Sequence, residues 1–213
     1  MTAPSAEALR RGCKALAKVD PALAKAYEQL GSPNWRSGVP EYATLARMVA
    51  YQQITTKAAA KIWERVEAEF GTVTPEAVLS AGTETLRGCG LSRPKVSHMN
   101  TIAEAIVTGA LNLDRVCTAE LVDARKELVA VRGIGPWTAE LFLLYSVGAM
   151  DAFPPGDIGI MEAHKRLSGS ETRMEIKAFT AFAERWRPYR GVAAHLLWDW
   201  LNDQRARDAV APK

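Results

Sequence analysis

The sequence predicts an all-α protein, and three observations support this class. Apolar residues recur at three- and four-residue spacing in most of the 213-residue chain, which is the period of an amphipathic helix. The alternation of apolar and polar residues that is typical of strands is hard to find. Glycine and proline cluster in short segments between the periodic ones. We therefore expect about ten helices joined by short loops.

The predicted helices follow one another in order along the chain. Helical spacing is clearest in four groups of apolar residues: Tyr42, Leu45, Ala46 and Val49; Ala58, Ile62, Val66 and Phe70; Met99, Ile102, Ala103 and Ile106; and Val192, Leu196 and Trp200. The predicted breaks are residues 31–33, 71–75, 88–94, 109–112, 153–156 and 168–169. Thr74 followed by Pro75 predicts a helix start, because threonine can cap a free amide and proline suits the first turn. Trp63 and Trp200 are expected to pack in the core.

Composition and charge limit the class of protein. With 48% hydrophobic residues, the chain can form one packed unit or two lobes that share a core. Its net charge of +3 and pI near 8.8 permit binding to a polyanion without requiring it. No run of about eighteen uncharged apolar residues occurs, and residues 1–12 contain no apolar run. We expect a cytoplasmic protein with no membrane partner, associated with the nucleoid in a bacterium.

Cysteine and histidine usage argues against metal chemistry. Cys13, Cys89 and Cys117 are odd in number and far apart, so a disulfide framework is not expected. Three cysteines cannot supply the four thiolates of an iron–sulfur cluster. The three histidines are scattered and not paired with cysteines, which argues against zinc. The cysteines are interpreted as small buried hydrophobic residues.

A tight turn between two helices is the most informative feature of the sequence. Gly133 and Gly135 flank Ile134, and glycine lets backbone amides approach an anion closely. Pro136 suits the first turn of a following helix, whose start can hold a phosphate. The pattern predicts a helix-hairpin-helix unit that grips a DNA backbone. For this tetrapeptide by itself an ordinary helix corner is the alternative, whereas a dinucleotide-binding fingerprint is discarded because no strand precedes it.

Asp157 is the candidate for the chemistry. It follows the proline- and glycine-rich residues 153–156 and is placed at the start of a helix that reaches Leu167. A carboxylate fixed at such a place can stabilise a developing positive charge or activate a water molecule. A helix start favours the ionised carboxylate. By itself, the Pro-Gly-Asp sequence predicts only a turn and a helix cap.

Together these features resemble the helix-hairpin-helix (HhH-GPD) DNA glycosylase superfamily, nearest its 3-methyladenine DNA glycosylase II branch. The resemblance rests on the hairpin, the proline- and glycine-rich run and the aspartate that lies twenty residues after Trp137. Further matching segments are residues 51–59, residues 90–92 with Lys95, residues 186–191 and residues 195–198. The resemblance extends over roughly residues 40–201, and the combination is specific although no single segment is.

The resemblance implies a two-lobed helical fold with the active-site cleft between the lobes. Residues 42–150 would form the bundle that contains the hairpin, and residues 1–41 with 151–213 would form the second lobe. Longer bacterial members have an additional N-terminal β-domain. We do not expect that domain, because the 41 residues before the first motif are too few for it.

The activity implied by the resemblance is that of a monofunctional DNA glycosylase in base excision repair. It would hydrolyse the N-glycosidic bond of alkylated purines, 3-methyladenine and 7-methylguanine, that are flipped out of duplex DNA, with Asp157 as the catalytic residue. Such purines already carry positive charge, so a second acid such as Asp151 or Glu162 is not needed. Relatives that also cut the strand have a lysine just after the hairpin. Trp137 stands at that position and predicts no AP lyase activity.

The resemblance also assigns the remaining site residues. Those implied in DNA binding are Gln52, Gln53, Thr55, Lys57, Arg132, Gly133 and Gly135. Trp137, Trp198, Leu141 and Ile158 would line the base pocket, and the carbonyls of Val129, Val131 and Ile134 would hold a structural Na⁺ or K⁺. Gln53 would fill the space that the flipped base leaves. Leu141 and Ile158 stand where well-known bacterial members have tyrosines, which predicts a wider or simpler pocket. Lys95 and Lys165 are further candidates for phosphate contacts.

Two other functions remain open at this point. A relative tuned to deaminated or oxidised bases would share the fold and the carboxylate. A non-catalytic module that binds damaged DNA would keep the hairpin, but it would have no need of a carboxylate beside a polyanion. We expect the partner to be double-stranded DNA with alkylated bases, bound by a monomer without an organic cofactor.

Overall fold

The computed structural model describes residues 3–210, and all regular structure in that range is helical. The α-helices are α1 (Ala6–Val19), α2 (Pro21–Leu30), α3 (Tyr42–Tyr51), α4 (Thr56–Phe70), α5 (Pro75–Gly88), α6 (Arg93–Val107), α7 (Leu113–Thr118), α8 (Leu121–Val129), α9 (Pro136–Phe142), α10 (Ile158–Ser168), α11 (Ile176–Ala183) and α12 (Arg190–Val210). A π-helical turn covers Leu143–Val147, and a 3₁₀ turn covers Glu184–Trp186. The predicted all-α class is therefore confirmed. None of the described helices is long and apolar enough to cross a bilayer.

The chain folds into two compact units. Within the described range, the first unit contains residues 3–37 and 147–210, and the second unit contains residues 38–146. The domain limits expected from the sequence lay slightly later in the chain, after residues 41 and 150. The hairpin belongs to the second unit and Asp157 to the first.

Helix ends coincide with the breaks predicted from glycine, proline and threonine. Thr74 caps α5 by accepting the Ala77 amide through its side-chain oxygen at 3.1 Å, and Pro75 occupies the first turn, as predicted. Gly169 ends α10 with φ 73°, a left-handed conformation that costs glycine little.

The second unit is built around α3. This helix packs on α4, α6 and α9, while α5 packs on α6 and α8 packs on α9. Tyr42 at the start of α3 is buried and donates its hydroxyl proton to the Met99 carbonyl on α6 at 3.1 Å. Trp63 on α4 is 4% exposed, which confirms its predicted place in the core.

The first unit encloses a buried polar cluster that the sequence analysis missed. Asp20 caps α2 by accepting the Ala22 amide at 2.8 Å. Its other oxygen accepts the Trp186 indole N–H at 2.9 Å and lies 3.2 Å from Nε2 of His164. Burial alone would raise the pKa of Asp20, but the contacts with His164, Trp186 and Ala22 hold it below its ordinary value. The cluster joins α2 and α10 to the 3₁₀ turn and gives Trp186 a structural role.

Two backbone irregularities were also not predicted. Gly82 interrupts α5 with φ 77° and ψ 171°, so that α5 is kinked. The π-helical turn at Leu143–Val147 continues directly from α9. A single-turn change of helix type adds about one residue to a turn and leaves the apolar spacing of a short segment nearly unchanged. Periodicity could therefore predict the helix but not this change of type.

Candidate functional site

Asp157 is the N-cap residue of α10 in the first unit. Its Oδ1 atom accepts the backbone N–H of Ile160 and the indole N–H of Trp198, each at 3.0 Å. The side chain is half-buried, and α10 runs from Ile158 to Ser168, as the sequence predicted for a helix that begins at this aspartate. The carboxylate is thus fixed by two donors at a helix start.

The donors around Asp157 match what a negatively charged group needs. Hydrogen bonds from N–H donors stabilise the charged form of a carboxyl group. The partial positive charge at the N-terminal end of a helix acts in the same direction. The arrangement therefore provides a negative charge that can be placed against a developing positive charge without reorganisation.

Gly159 is a site residue that the sequence analysis missed. A Cβ atom at this position would lie 3.2 Å from Oδ1 of Asp157 and 3.4 Å from Cδ1 of Trp198. Such distances are tighter than ordinary van der Waals contact, so a side chain here would push the indole or the carboxylate aside. The only signal in the sequence is a glycine two residues after the aspartate.

The indole of Trp198 lies in a cluster of rings and charges within the first unit. The guanidinium carbon of Arg36 lies 5.6 Å from its ring centroid, and Arg36 also pairs with Asp199 at 2.7 Å. The ring centroid of His195 lies 5.6 Å from that of Trp198, in an edge-on contact. The ring of Trp35 stacks on His195, with 4.1 Å between the centroids. The sequence predicted no role for Trp35, and the structure shows that its ring packs on His195.

His195 is fully buried and neutral at neutral pH. Burial lowers its pKa to about 4, and the nearby Arg36 charge adds to this effect, whereas the hydrogen bond with Gly191 opposes it. Its Nδ1 atom lies 2.9 Å from the Gly191 carbonyl, so Nδ1 carries the proton. His195 is therefore a packing partner of Trp198 and Trp35.

Asp151 and Glu162, the other acidic residues near Asp157 in the sequence, are held in ion pairs. Asp151 pairs with Arg187 at 2.8 Å and with Arg190 at 2.9 Å. Glu162 accepts a hydrogen bond from Arg166 at 2.8 Å, and this bond lowers the pKa of Glu162. A carboxylate held in this way does not readily act as a general acid.

The hairpin connects α8 to α9 in the second unit, as predicted. Ile134 at its centre is 3% exposed, and its amide donates to the Val131 carbonyl at 3.0 Å. Gly135 is the N-cap residue of α9, and Pro136 is the first residue of that helix. An ion pair between Arg125 on α8 and Glu140 on α9 holds the two helices together.

Different structural features explain why glycine occupies positions 133 and 135 of the hairpin. Gly133 adopts φ 102°, and a Cβ atom on it would lie 2.6 Å from Cβ of His98 on α6. Gly135 is exposed with φ −80°, and nothing lies within 4 Å of the place of its Cβ. Packing therefore explains Gly133, while the absence of a side chain at Gly135 leaves the turn open to an approaching group.

The segment that joins α3 to α4 carries the two glutamines. Gln52 is half-buried and donates its side-chain N–H to the Thr138 hydroxyl on α9 at 2.9 Å. Gln53 is exposed with φ 57°, the single positive φ of a non-glycine residue in the described range. Thr55 caps α4 by accepting the Ala58 amide at 3.3 Å. Gln52 thus ties this segment to the helix that follows the hairpin, and Gln53 projects from a strained backbone position.

The basic residues divide into two groups. Lys57 and Arg132 are exposed in the second unit, as an interaction with phosphate requires. Lys95 instead donates to the Ala50 carbonyl at 2.8 Å, and burial lowers the pKa of its ammonium group. Lys165 lies 3.6 Å from Glu162 in an ion pair. One N–H of the Lys95 ammonium group is thus used within the second unit, at the carbonyl end of α3, and a phosphate contact of Lys95 stays a prediction.

The residues assigned to the base pocket are distributed over both units. In the second unit, Trp137 is half-buried and Leu141 is 6% exposed, both on α9. In the first unit, Trp198 is half-buried on α12, and Ile158 is 65% exposed on α10. The hydrogen bond from Trp198 to Asp157 was not predicted, and it gives this tryptophan a role beyond that of a pocket wall.

The cysteines match their interpretation as small hydrophobic residues. Cys13 and Cys89 are buried, and Cys117 is half-buried. Burial raises the pKa of the Cys13 thiol to about 11. No group of three or more histidine, cysteine or acidic residues that could hold a metal occurs in residues 3–210.

Comparison with known proteins gives a family match over most of the chain. The model of the HhH-GPD superfamily base excision DNA repair proteins matches residues 46–188. The chain is 32% identical over 167 residues to DNA-3-methyladenine glycosylase 1 of Schizosaccharomyces pombe, and the match covers 74% of this chain and 71% of that protein.

Two further similarities extend this finding. The chain is 33% identical over 174 residues to the probable bifunctional transcriptional activator/DNA repair enzyme AlkA of Mycobacterium tuberculosis, covering 76% of this chain but 34% of that protein. Among solved structures, it is similar to the S. pombe 3-methyladenine DNA glycosylase Mag1 in complex with abasic DNA. The TM-score is 0.80 at 27% identity, with 89% of this chain and 95% of that chain covered.

Substitution of the hairpin glycines should separate their roles. We expect Gly133→Ala to lower the free energy of unfolding by about 2 kcal/mol or more, because a left-handed φ and a clash with His98 combine. Gly135→Ala is the matched control and should change stability by less than about 0.5 kcal/mol. Urea unfolding of both variants measures this, and equal effects would contradict the packing role of Gly133.

Acid should weaken the first unit through His195. The pKa of His195 is the ordinary 6.5 in the unfolded chain and about 4 in the folded protein. Between pH 4 and pH 6.5 the unfolded state therefore binds more protons than the folded state. The free energy of unfolding is highest above pH 6.5 and decreases as the pH falls towards 4. The total loss is about 3 kcal/mol. His195→Asn keeps a donor for Gly191 but does not titrate. Its urea-unfolding free energy should depend less on pH in this window, and slopes equal to those of the wild type would overturn the assignment.

Proposed function

Because the chain belongs to the HhH-GPD superfamily of base excision DNA repair proteins, we propose that it is a monofunctional DNA glycosylase for alkylated purines. Its substrates are 3-methyladenine and 7-methylguanine in duplex DNA. The observation that carries the proposal is the carboxylate of Asp157, fixed by the Ile160 amide and the Trp198 indole. The similarity to S. pombe DNA-3-methyladenine glycosylase 1 supports this choice of base.

Asp157 acts on the sugar in this mechanism. As the bond between C1′ and the purine nitrogen breaks, positive charge develops on the deoxyribose. The fixed carboxylate stabilises that charge and orients a water molecule, which adds to C1′, gives up a proton to the carboxylate and leaves an abasic site. The departing alkylated purine already carries a positive charge and leaves as a neutral base. No second acid is needed, which agrees with the ion pairs that hold Asp151 and Glu162.

The second unit supplies the grip on DNA. The amides around Gly133 and Gly135, with the exposed cations Lys57 and Arg132, contact the phosphates and position the duplex without reading bases. Gln53, exposed at φ 57°, fills the space left by the flipped nucleotide. Gln52 and Thr55 keep its segment in place through their bonds to Thr138 and Ala58.

The hairpin also has the oxygen donors that a monovalent cation prefers. The carbonyls of Val129, Val131 and Ile134 would hold Na⁺ or K⁺, and the Val131 carbonyl already accepts the Ile134 amide with one lone pair. Backbone oxygens suit such a hard cation. When bound, the ion would add positive charge to the turn near a phosphate.

Aromatic and apolar side chains select the base. Trp137, Leu141, Ile158 and Trp198 are the proposed pocket residues. The face of Trp137 attracts a cationic purine, whereas leucine and isoleucine add bulk without a ring. Fewer rings favour selection by the lability of the leaving base over tight stacking. Trp137 also has no amine that could attack the sugar, so the enzyme has no AP lyase activity.

The proposed context is that of a repair enzyme that works alone. It binds duplex DNA as a monomer in the cytoplasm, at the nucleoid in a bacterium. It uses no organic cofactor, since the chemistry requires only a carboxylate and water.

Replacement of the carboxylate should separate binding from catalysis. Asp157→Asn can still accept the Ile160 and Trp198 hydrogen bonds, so we expect the fold and DNA affinity to be kept. Release of 3-methyladenine from methylated duplex DNA should fall at least about a hundredfold. Fluorescence anisotropy with an abasic-analogue duplex measures the binding.

Glu162→Gln is the matched control and should keep base release. A fully active Asp157→Asn variant would remove the assignment of this residue, and an inactive Glu162→Gln variant would restore a scheme with two carboxylates. Release of hypoxanthine or 8-oxoguanine in place of alkylated purines would favour a different base class. Tight binding without any release would favour a damage-binding module.

Sodium borohydride should not trap the protein on its substrate. Without a lysine after the hairpin, no Schiff base forms with the sugar, so no covalent adduct should appear on a denaturing gel. Alkaline treatment of the product strand should reveal abasic sites in the same reaction, which shows that the enzyme was active. A trapped adduct would contradict the monofunctional assignment.

A further inference from the structure

Arg36 lies in the first unit, in the segment between α2 and the start of the second unit, and is firmly anchored there. Its Nη2 atom donates to Oδ1 of Asp199 on α12 at 2.7 Å. The backbone amide of Asn34 donates to the other oxygen of Asp199 at 2.8 Å. Two bonds to one carboxylate, one from a side chain and one from the backbone, fix the guanidinium over α12.

The Arg36 guanidinium also contacts the ring of Trp198. Its carbon lies 5.6 Å from the centroid of Trp198, within the range of a cation–π interaction. Its Nη1 atom is buried and makes no hydrogen bond to any residue among 3–210. A buried donor without an acceptor is costly, so the contact with the ring must offset part of that cost.

The same indole donates to the carboxylate of Asp157 at 3.0 Å. A cation over the face of an indole draws electron density from the ring, which makes its N–H a stronger donor. The contact also restricts the rotation of a ring whose position decides where the N–H points. Asp199, Arg36, Trp198 and Asp157 therefore form one chain of contacts.

We propose that Arg36 is a positioning residue that acts on Asp157 through Trp198. This inference rests on the proposed function, in which Asp157 is catalytic. The Trp198 ring already contacts the Arg36 guanidinium, so it attracts a second cation, such as an alkylated purine, less strongly. We therefore assign Trp198 a role other than stacking on the substrate. The guanidinium, held by Asp199, keeps the indole N–H aimed at the carboxylate.

A double-mutant cycle tests the order of these contacts. Arg36→Met keeps an unbranched apolar stem and removes the guanidinium group with its charge. We expect it to lower kcat for 3-methyladenine release about three- to thirtyfold, the equivalent of one cation–π contact, with KM little changed. Arg36→Lys should recover part of the rate.

The decisive variant is Trp198→Phe, which keeps a ring but has no N–H. If Arg36 acts through the indole, Arg36→Met should have no further effect in the Trp198→Phe background. The matched control is Arg207→Met, which also removes an arginine–aspartate pair on α12, the Arg207–Asp203 pair at 2.8 Å, and should leave kcat unchanged. Additive losses in the double variant would overturn the proposal and leave Arg36 with a structural role.

A second measurement does not depend on catalysis. The indole N–H resonance of Trp198, assigned by its loss in Trp198→Phe, should shift upfield and exchange faster in Arg36→Met, as in Asp157→Ala. It should not change in Arg207→Met. An unchanged resonance in Arg36→Met would overturn the positioning role even if the protein released no alkylated base. If the resonance shifts as expected but the wild-type protein releases no alkylated base, the positioning role stands and only the proposed function is contradicted.

Discussion

The structure depends on holding one carboxylate in a fixed position while part of its solvent shell is removed. Asp157 is half-buried, so donors from the protein replace hydrogen bonds that water would otherwise make. The Ile160 amide and the Trp198 indole provide that replacement, each at 3.0 Å. Gly159 leaves room for this arrangement, because a Cβ atom there would lie 3.2 Å from Oδ1 of Asp157 and would displace it slightly. The position of this carboxylate thus depends on how the start of α10 packs against Trp198.

The hairpin in the second unit meets a different requirement, that of an open backbone. Gly133 turns the chain at φ 102° directly against His98, and Gly135 leaves the turn unobstructed. Lys95 and Gln52 strengthen the same unit from within, through bonds to the Ala50 carbonyl and the Thr138 hydroxyl. Basic and polar residues of a DNA-binding protein are therefore not all directed at DNA. Some of them hold backbone segments in place within the unit.

Features governed by near neighbours could be predicted from the sequence. The helical class, the cap at Thr74, the start of α9 at Pro136 and the start of α10 after Asp157 all depend on residues within one turn of each other. The kink at Gly82 and the π-helical turn after α9 could not be predicted, because neither disturbs the apolar period of a short segment. The bond from Lys95 to the Ala50 carbonyl could not be predicted either, because the charge of a residue in a motif does not show which way its side chain turns.

The sequence by itself determined the fold class, the family resemblance and the identity of the candidate carboxylate, since local patterns and spacing carry that information. Only the tertiary structure decided what surrounds the carboxylate. Trp198 is 41 residues from Asp157 and Arg36 is 163 residues from Asp199, yet each pair lies within hydrogen-bonding distance. Contacts over such separations arise from the packing of whole helices, and the free energy of that packing is shared among many apolar side chains. No single residue pattern therefore encodes them.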